Sequence, residues 1–372
     1  MTYGSPQPHH QARTRVPGAA TAEKVGRERG PDSRRGVCMT LTSDHAVEPT
    51  SEQPFEATEI AGRSLTQIAW QRLRRDKVAI VSLVLVVMFL LVAVFAPVIT
   101  KLVGVDPYTF NDAASKHIIS DDGGLPIGRF GGMSLRHPLG VEPLTGRDLF
   151  ARLLYGARIS LLVAFASTIV TMILGVVVGI VAGYSRGIVD GLLGRLMDLI
   201  LAFPLLLILL AMSAPLVSRL TDLGLGDNTA RLVFIIGVLS LFGWPYLARI
   251  VRGQVLSLRE REFVESAVSM GAGTPRILFR EILPNLWAPI LVYVTLALPT
   301  YIAAEATLSF LGVGLLPPTA SFGAMLAESV AYFTVLPTYL FIPGVALTVL
   351  VISFNLFGDA LRDALDPRAG RA

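Results

Sequence analysis

A single cysteine, Cys38, leaves this chain of 372 residues no intramolecular disulfide framework and too few thiolates for a cysteine-based zinc site. Lysine is almost as scarce. Lys24, Lys77, Lys101 and Lys116 are the whole set, and none follows a glycine. A P-loop holds phosphates with a Gly-Lys-Ser/Thr run, so no ATP site of that kind is present. H-E-x-x-H and paired intramembrane aspartates are also missing, and the five histidines fall without metal spacing. Charge itself is thin: 16% of residues are Asp, Glu, Lys or Arg, against about 25% in soluble domains. With 52% apolar residues and a mean hydropathy of +0.60, the chain lacks the polar residues to cover a soluble surface. The composition points to a membrane bundle.

Six charge-free stretches are long enough to cross a bilayer, whose hydrocarbon core of about 30 Å takes roughly 20 helical residues. They are Val78–Thr100, Ile159–Ser185, Leu199–Ser218, Leu232–Ala248, Ile282–Ala304 and Ser329–Gly358. Leu232–Ala248 is the marginal one, short and holding Pro245. Ala306–Ala327 is uncharged too, but Pro317, Pro318 and its glycines and serines break it into a helix end and an external loop. Arg72, Arg74, Arg75 and Lys77 precede the first span. The connection 249–281 carries Arg249, Arg252, Arg259, Arg261, Arg276 and Arg280, whereas 305–328 has no basic residue. The positive-inside rule then expects the N-terminus, 186–198, 249–281 and the C-terminal tail in the cytoplasm. The long segment 101–158 falls outside despite its basic residues, because long loops obey the rule poorly.

Residues 1–62 read as a disordered tail without apolar periodicity or a signal-peptide core. Its first 38 residues are basic, and Thr40–Ile60 carries acids alone. Met39 lies at the switch, so 1–38 is either an upstream extension or a genuine tail. Residues 63–77 read as an amphipathic interfacial helix, with Leu65, Ile68, Ala69 and Leu73 on one stripe and Ser64 as cap. The first span follows at 78–100, a core domain fills 159–360, and 361–372 forms a tail.

Gly175, Gly179, Gly183, Gly187 and Gly191 recur every four residues, which puts them on one helix face open to a neighbouring backbone. Helix packing is the ordinary reading of such a face; the lining of a path is the alternative. Prolines 204, 215, 245, 289 and 299 sit in or near spans and favour kinks. Glu305 lies at the outer end of the fifth span. An ionisable group at that depth is a candidate for a path or an interface.

The segment from Arg259 to Asn285 parses as two short helices. The first covers roughly 260–270, with Phe263, Ala267 and Met270 on one side, and stops at Gly271 and Gly273. Thr274 is placed to cap the second, with Pro275 in its first turn. Such a unit can dock into a groove on a partner. The bland alternative is a surface loop in which Arg261 and Glu265 pair at i,i+4.

Glu265-Ser266-Ala267, then Gly271-Ala272-Gly273, then Ile282-Leu283-Pro284 resembles the EAA loop of ABC importer permeases, with Ser266 where alanine is usual. Further segments resemble the dipeptide/oligopeptide branch, in its C-type member. They are His137-Pro-Leu-Gly140 with Gly146-Arg-Asp148, Arg195-x-Met-Asp198 with Ala202-Phe-Pro204, Glu305 to Gly312 with Pro317-Pro318, and Phe357 to Pro367. The likeness covers roughly 64–368. It departs at Val141-Glu-Pro-Leu-Thr145, at a Gly-rich insertion over 118–136, and at Phe322 where tryptophan is common.

The resemblance implies an all-α integral membrane fold of six transmembrane helices, the type I ABC importer transmembrane domain, in the cell membrane of a prokaryote. It implies a heterodimer with a second permease, two ATPase subunits and an extracytoplasmic substrate-binding protein, with membrane lipid around it and no nucleic acid. The chain would bind no cofactor, and ATP-Mg would sit on the ATPase. Glu265, Ser266, Ala267, Gly271, Ala272, Gly273, Leu283 and Pro284 would form the coupling segment at 259–285, and no residue would perform covalent chemistry. The substrate would be a di- or oligopeptide. Nickel or another small solute is the alternative within the family, and an ion-gradient-driven secondary transporter the alternative outside it.

Overall fold

The computed structural model describes residues 70–108, 124–127 and 130–365. The 1–62 tail, residues 63–69 of the interfacial helix, part of the 118–136 insertion and residues 366–372 lie outside these. Among the described residues the elements are helical, apart from isolated bridges such as Val141 with Asp148. We number the principal helices α1 (Lys77–Val103), α2 (Leu149–Tyr184), α3 (Ile188–Ala202), α4 (Leu205–Asp222), α5 (Asp227–Leu258), α6 (Glu262–Ser269), α7 (Trp287–Phe310), α8 (Phe322–Ser329) and α9 (Pro337–Leu365). Among the described residues, six stretches are long and apolar enough to cross a membrane: α1, α2, α4, α5, Thr274–Phe310 ending in α7, and α9.

The helices overrun the charge-free stretches that mark them. α2 begins at Leu149, well ahead of Ile159, and takes Arg152 and Arg158 into its first turns. Its 36 residues make roughly 54 Å of helix, far more than a bilayer core requires. α5 runs 32 residues past Arg231 at one end and Arg249 and Arg252 at the other, and Pro245 does not stop it. The reason is general: a charged side chain ends the lipid-facing stretch without ending the backbone ladder. The expected span Leu199–Ser218 divides at Phe203-Pro204 into α3 and α4, because Pro204 has no N–H to continue the ladder. The expected span Ser329–Gly358 starts later, at Pro337, and its helix continues to Leu365, into the expected tail. The 305–328 connection is not all loop, since Ser321 caps α8 by accepting the Ala324 N–H at 3.2 Å. Trp70–Leu73 is helical, but a turn at Arg74 and Arg75 separates it from α1, which Asp76 caps. The interfacial helix therefore does not run unbroken to Lys77.

α2 and α5 pack along most of their length. A Cβ on Gly175 would fall 2.8 Å from Leu247 Cβ, one on Gly179 2.7 Å from Val251 Cβ, and one on Gly183 2.7 Å from Val255 Cβ. The three glycines are thus the slots into which one stripe of α5 fits. Gly187 and Gly191 leave the series. α2 has ended at Tyr184, Gly187 turns the chain at φ +76° as N-cap of α3, and Gly191 faces open space.

The bundle has two ends. One carries Ser185–Gly187, Arg249, Arg252 and the 259–286 segment, and we call it the arginine-rich end. The other carries residues 130–148 and 311–336.

Candidate functional site

At the arginine-rich end, α6 is a short amphipathic helix of 8 residues, just over two turns. Val264 and Ala267 are buried, while Glu265 and Ser266 are exposed. Phe263, Ala267 and Met270 are expected to share one side of α6. Phe263 is 40% exposed and Met270 81% exposed, because the i,i+3 pair Val264 and Ala267 takes the inward position. Arg261 and Glu265 make no ion pair.

Gly271 at φ +81° ends the helix. Its N–H donates to Val268 O at 2.9 Å, and the Ala272 N–H donates to Ala267 O at 3.0 Å, the paired bonds of a Schellman cap. The next helical stretch is capped by Gly273, one residue ahead of the expected Thr274, with no side-chain cap bond. It then changes pitch twice: Ile277–Ile282 is a π-helix and Leu283–Leu286 a 3₁₀ turn. Pro284 explains the change. It offers no N–H to the carbonyl four residues back and its ring crowds that turn, so the ladder must re-register before α7. Asn285 Nδ2 donates to Glu281 O at 2.6 Å across the junction.

Val264, Ala267, Ile277, Ile282, Leu286 and Ile290 form one buried cluster with Leu247, Val251 and Val255 of α5 and Ile180 of α2. The exposed segment is therefore mounted on the same stripe of α5 that fills the glycine slots of α2. Leu283 is half-buried and Pro284 exposed. The segment offers outward Phe263, Glu265, Met270 and Phe279, and none of these groups makes a nucleophile–base pair. Gly183-Tyr184-Ser185-Arg186-Gly187 has the spacing of a nucleophile elbow, missed in the sequence. It joins two helices, not a strand to a helix, and so lacks that geometry.

Glu305 is fully buried on α7. Ser160 Oγ of α2 donates to Oε2 at 2.6 Å, and Ser309 Oγ to Oε1 at 2.8 Å. The carboxylate reaches neither lipid nor solvent within this chain and fastens α7 to α2.

The chain matches the model of binding-protein-dependent transport system inner membrane components over residues 175–371, and that of the N-terminal transmembrane domain of oligopeptide transport permease C over residues 64–118. It belongs to this family of transport permeases. It is 35% identical over 331 residues to the dipeptide transport system permease protein DppC of Alkalihalophilus pseudofirmus, covering 88% of this chain and 99% of that one. The oligopeptide transport system permease protein OppC of Bacillus subtilis is 34% identical, covering 86% and 96%. The glutathione transport system permease protein GsiD of Salmonella typhimurium is 40% identical, covering 80% and 89%. A solved structure of the MetNI methionine ABC transporter, inward facing, aligns with TM-score 0.46 at 20% identity over 58% of this chain and 96% of that one. By its family membership and its curated relatives, this chain is a multi-pass inner-membrane permease subunit of an ABC transporter.

At its other end the permease buries an ionic cluster, in which Glu142, Arg152 and Glu328 join the motif residues His137, Arg147 and Asp148. Glu142 and Arg152 are 1% and 0% exposed. Arg147 Nε donates to Glu142 Oε2 at 2.7 Å, and Arg152 Nε lies 2.7 Å from Glu142 Oε1. Arg152 Nη2 donates to Glu328 Oε2 at 2.9 Å, across 176 residues of chain. The Tyr339 hydroxyl stands 3.0 Å from Glu142 and 3.2 Å from Glu328. His137 Nδ1 lies 2.7 Å from Asp148 Oδ2, whose other oxygen caps α2 by accepting the Ala151 N–H. The family motifs His137–Gly140 and Gly146–Asp148 thus hold the 130–148 segment onto α2, α8 and α9.

Burial pushes the Glu328 carboxyl up; Arg152 and Arg147 pull it down, and the like charge of Glu142 pushes it up again. The folded value lies above the unfolded one, so its contribution is complete below the ordinary glutamate range and declines as pH rises through the raised value. Thermal unfolding of the solubilised permease is expected to shift downward across that rise, and Glu328→Gln to flatten the dependence. An unchanged pH profile in the variant would remove Glu328 as its source.

Proposed function

We propose that this permease forms the import path for short peptides and takes its power from a separate ATPase through the 259–286 segment. The observation that carries the reading is the mounting of that segment: an exposed Glu265 flanked by outward Phe263 and Met270, on an inward face shared with α5 and α2. A partner's groove can take the outward face, and a push on it reaches the transmembrane helices through packed side chains without slack. Glu265 would pair with a basic group on the ATPase, Ser266 would let the outward face sit close to it, Ala267 would let the helix sit close on α5, and Gly271, Ala272 and Gly273 make the turn. Leu283 and Pro284 carry the motion into α7.

The relatives named for dipeptide, oligopeptide and glutathione transport support a short-peptide substrate. The assembly we infer adds a homologous second permease as heterodimer partner, two ATPase subunits holding ATP-Mg, and an extracytoplasmic substrate-binding protein. This chain supplies no cofactor site. The arginine-rich end, with both chain termini, faces the cytoplasm, as its Arg249 to Arg280 series favours.

The test is ATP-dependent uptake of a labelled di- or tripeptide by vesicles holding the chain with its neighbouring-gene partners. Glu265→Arg is expected to reduce uptake by about 10²-fold or release the ATPase from the complex, since a like charge would face the partner's base. Uptake that ignores ATP and follows a proton or sodium gradient would overturn the reading. Uptake of nickel with none of peptide would replace the substrate.

A further inference from the structure

We propose that Asp190 and Asp198 on α3, gripped by Arg252 and Arg249 on α5, form a two-rung ionic clamp that makes α3 move with the coupling segment. The inference rests on the function proposed above and names positioning residues within it.

α3 is loosely attached otherwise. Its backbone is interrupted at both ends, by Gly187 at φ +76° and by the Phe203-Pro204 break. Met197 is its one buried residue, set against Ala182, Trp244 and Ala248. Between the rungs lies a polar cavity of about 450 Å³, bordered by Gly191 and Gly194, where an added Cβ would meet nothing. Met197, with half-buried Leu193 and Ile200, supplies the apolar contact to α2 and α5, and the arginines span the polar gap beside it. Arg252 is bidentate on Asp190, Nε to Oδ1 at 2.6 Å and Nη2 to Oδ2 at 2.9 Å. A planar fork on a carboxylate fixes orientation as well as distance. Arg249 Nη2 pairs with Asp198 on the second rung. The Arg252 hydrogen bonds hold the Asp190 carboxyl below its usual range, in keeping with a formed pair.

The arms themselves are fixed. α5 lies so close to α2 that a Cβ on Gly183 would fall 2.9 Å from Arg252 O, and Arg259 Nη1 donates to Gly183 O at 3.1 Å. The coupling segment begins directly after α5. α3 leads through Pro204 into α4, the least buried span alongside its neighbours. The route therefore runs from coupling segment to α5, through two ion pairs to α3, and on to α4. A route of this kind is a claim about coupling, so it needs a coupling measurement.

In vesicles of the full complex, uptake per ATP hydrolysed is compared for wild type, Asp190→Arg, Arg252→Asp and the swapped double variant. Each single variant is expected to lower the ratio about tenfold, a typical coupling strength. The swap is expected to restore it to within about threefold of wild type, because it rebuilds the pair in reverse. A ratio unchanged in both singles, or a double no better than the singles, overturns the clamp. A second readout works on the wild-type pairs: spin labels at Leu192 and Gln254, in a Cys38→Ser background. The distance should stay fixed between nucleotide-free and ATP-trapped complexes and broaden in Asp190→Asn/Asp198→Asn. A wild-type distance that changes with nucleotide also overturns the clamp. Wild-type uptake indifferent to ATP would instead sink the function proposed above.

Discussion

Arg152→Met is expected to destabilise the folded permease by about 3–5 kcal/mol, the cost of leaving a buried charge without its partner. Arg152 is 0% exposed and stands between Glu142 and Glu328. Without it, two carboxylates share Arg147 alone, and Arg147 lies 3.8 Å from Glu328. The loss should show as a fall in the unfolding midpoint of the solubilised subunit. Adding Glu328→Gln to Arg152→Met should recover a large part of it, because one acid then faces one base. If the double variant is no more stable than the single, the charge imbalance is not the cause and the cost lies in the lost packing of the arginine stem.

The second large effect is expected at Gly179. A Cβ there would fall 2.7 Å from Val251 Cβ and 2.8 Å from Ala248 O. The second neighbour is backbone, so it cannot rotate away. Gly179→Leu should separate α2 from α5 at its middle and cost about 3 kcal/mol or more, the upper side of overpacking in a close-fitted core. Because the α2–α5 contact also mounts the 259–286 segment, the variant should lose ATP-coupled uptake along with thermal stability. Gly191→Leu is the control. It has the same spacing in the sequence but open space in the fold, and should leave the unfolding midpoint where it was.

That pair of glycines also shows what could be read in advance. Gly175, Gly179 and Gly183 were recognisable as a packing face because small residues at every fourth position lie on one side of a helix. Spacing alone could not say where the helix stops, so Gly187 and Gly191 joined a series to which they do not belong. The spans were legible because lipid excludes charge, and their ends were not, because Arg152, Arg231 and Arg249 sit on helix that extends past the charge-free stretch. The 259–285 segment was found from its glycines and Pro284, but grouping Phe263, Ala267 and Met270 on one side did not say which residues turn inward: Val264 and Ala267 seat against α5, and Phe263 and Met270 stay exposed. Glu142, Arg152 and Glu328 escaped notice for a plainer reason. Their cluster is assembled across 176 residues, and no local pattern records such a meeting. An arginine four residues past the Asp148 cap, at the head of an apolar helix, was the available signal.

The fit of α5 into the glycine face of α2 bears on how the protein is made. The two helices touch along their length, but α3 and α4 are synthesised between them. At ribosomal speed α2 waits on the order of ten seconds for its partner. During that time its slotted face meets lipid, and glycine is a residue that can wait there cheaply, since it leaves no polar side chain exposed and its backbone groups are already satisfied within the helix. The last of the pair to emerge, α5, closes the face and brings the coupling segment with it. The exposed face of that segment is thus completed only once the membrane half has closed around this seam, an order of manufacture written into three missing side chains.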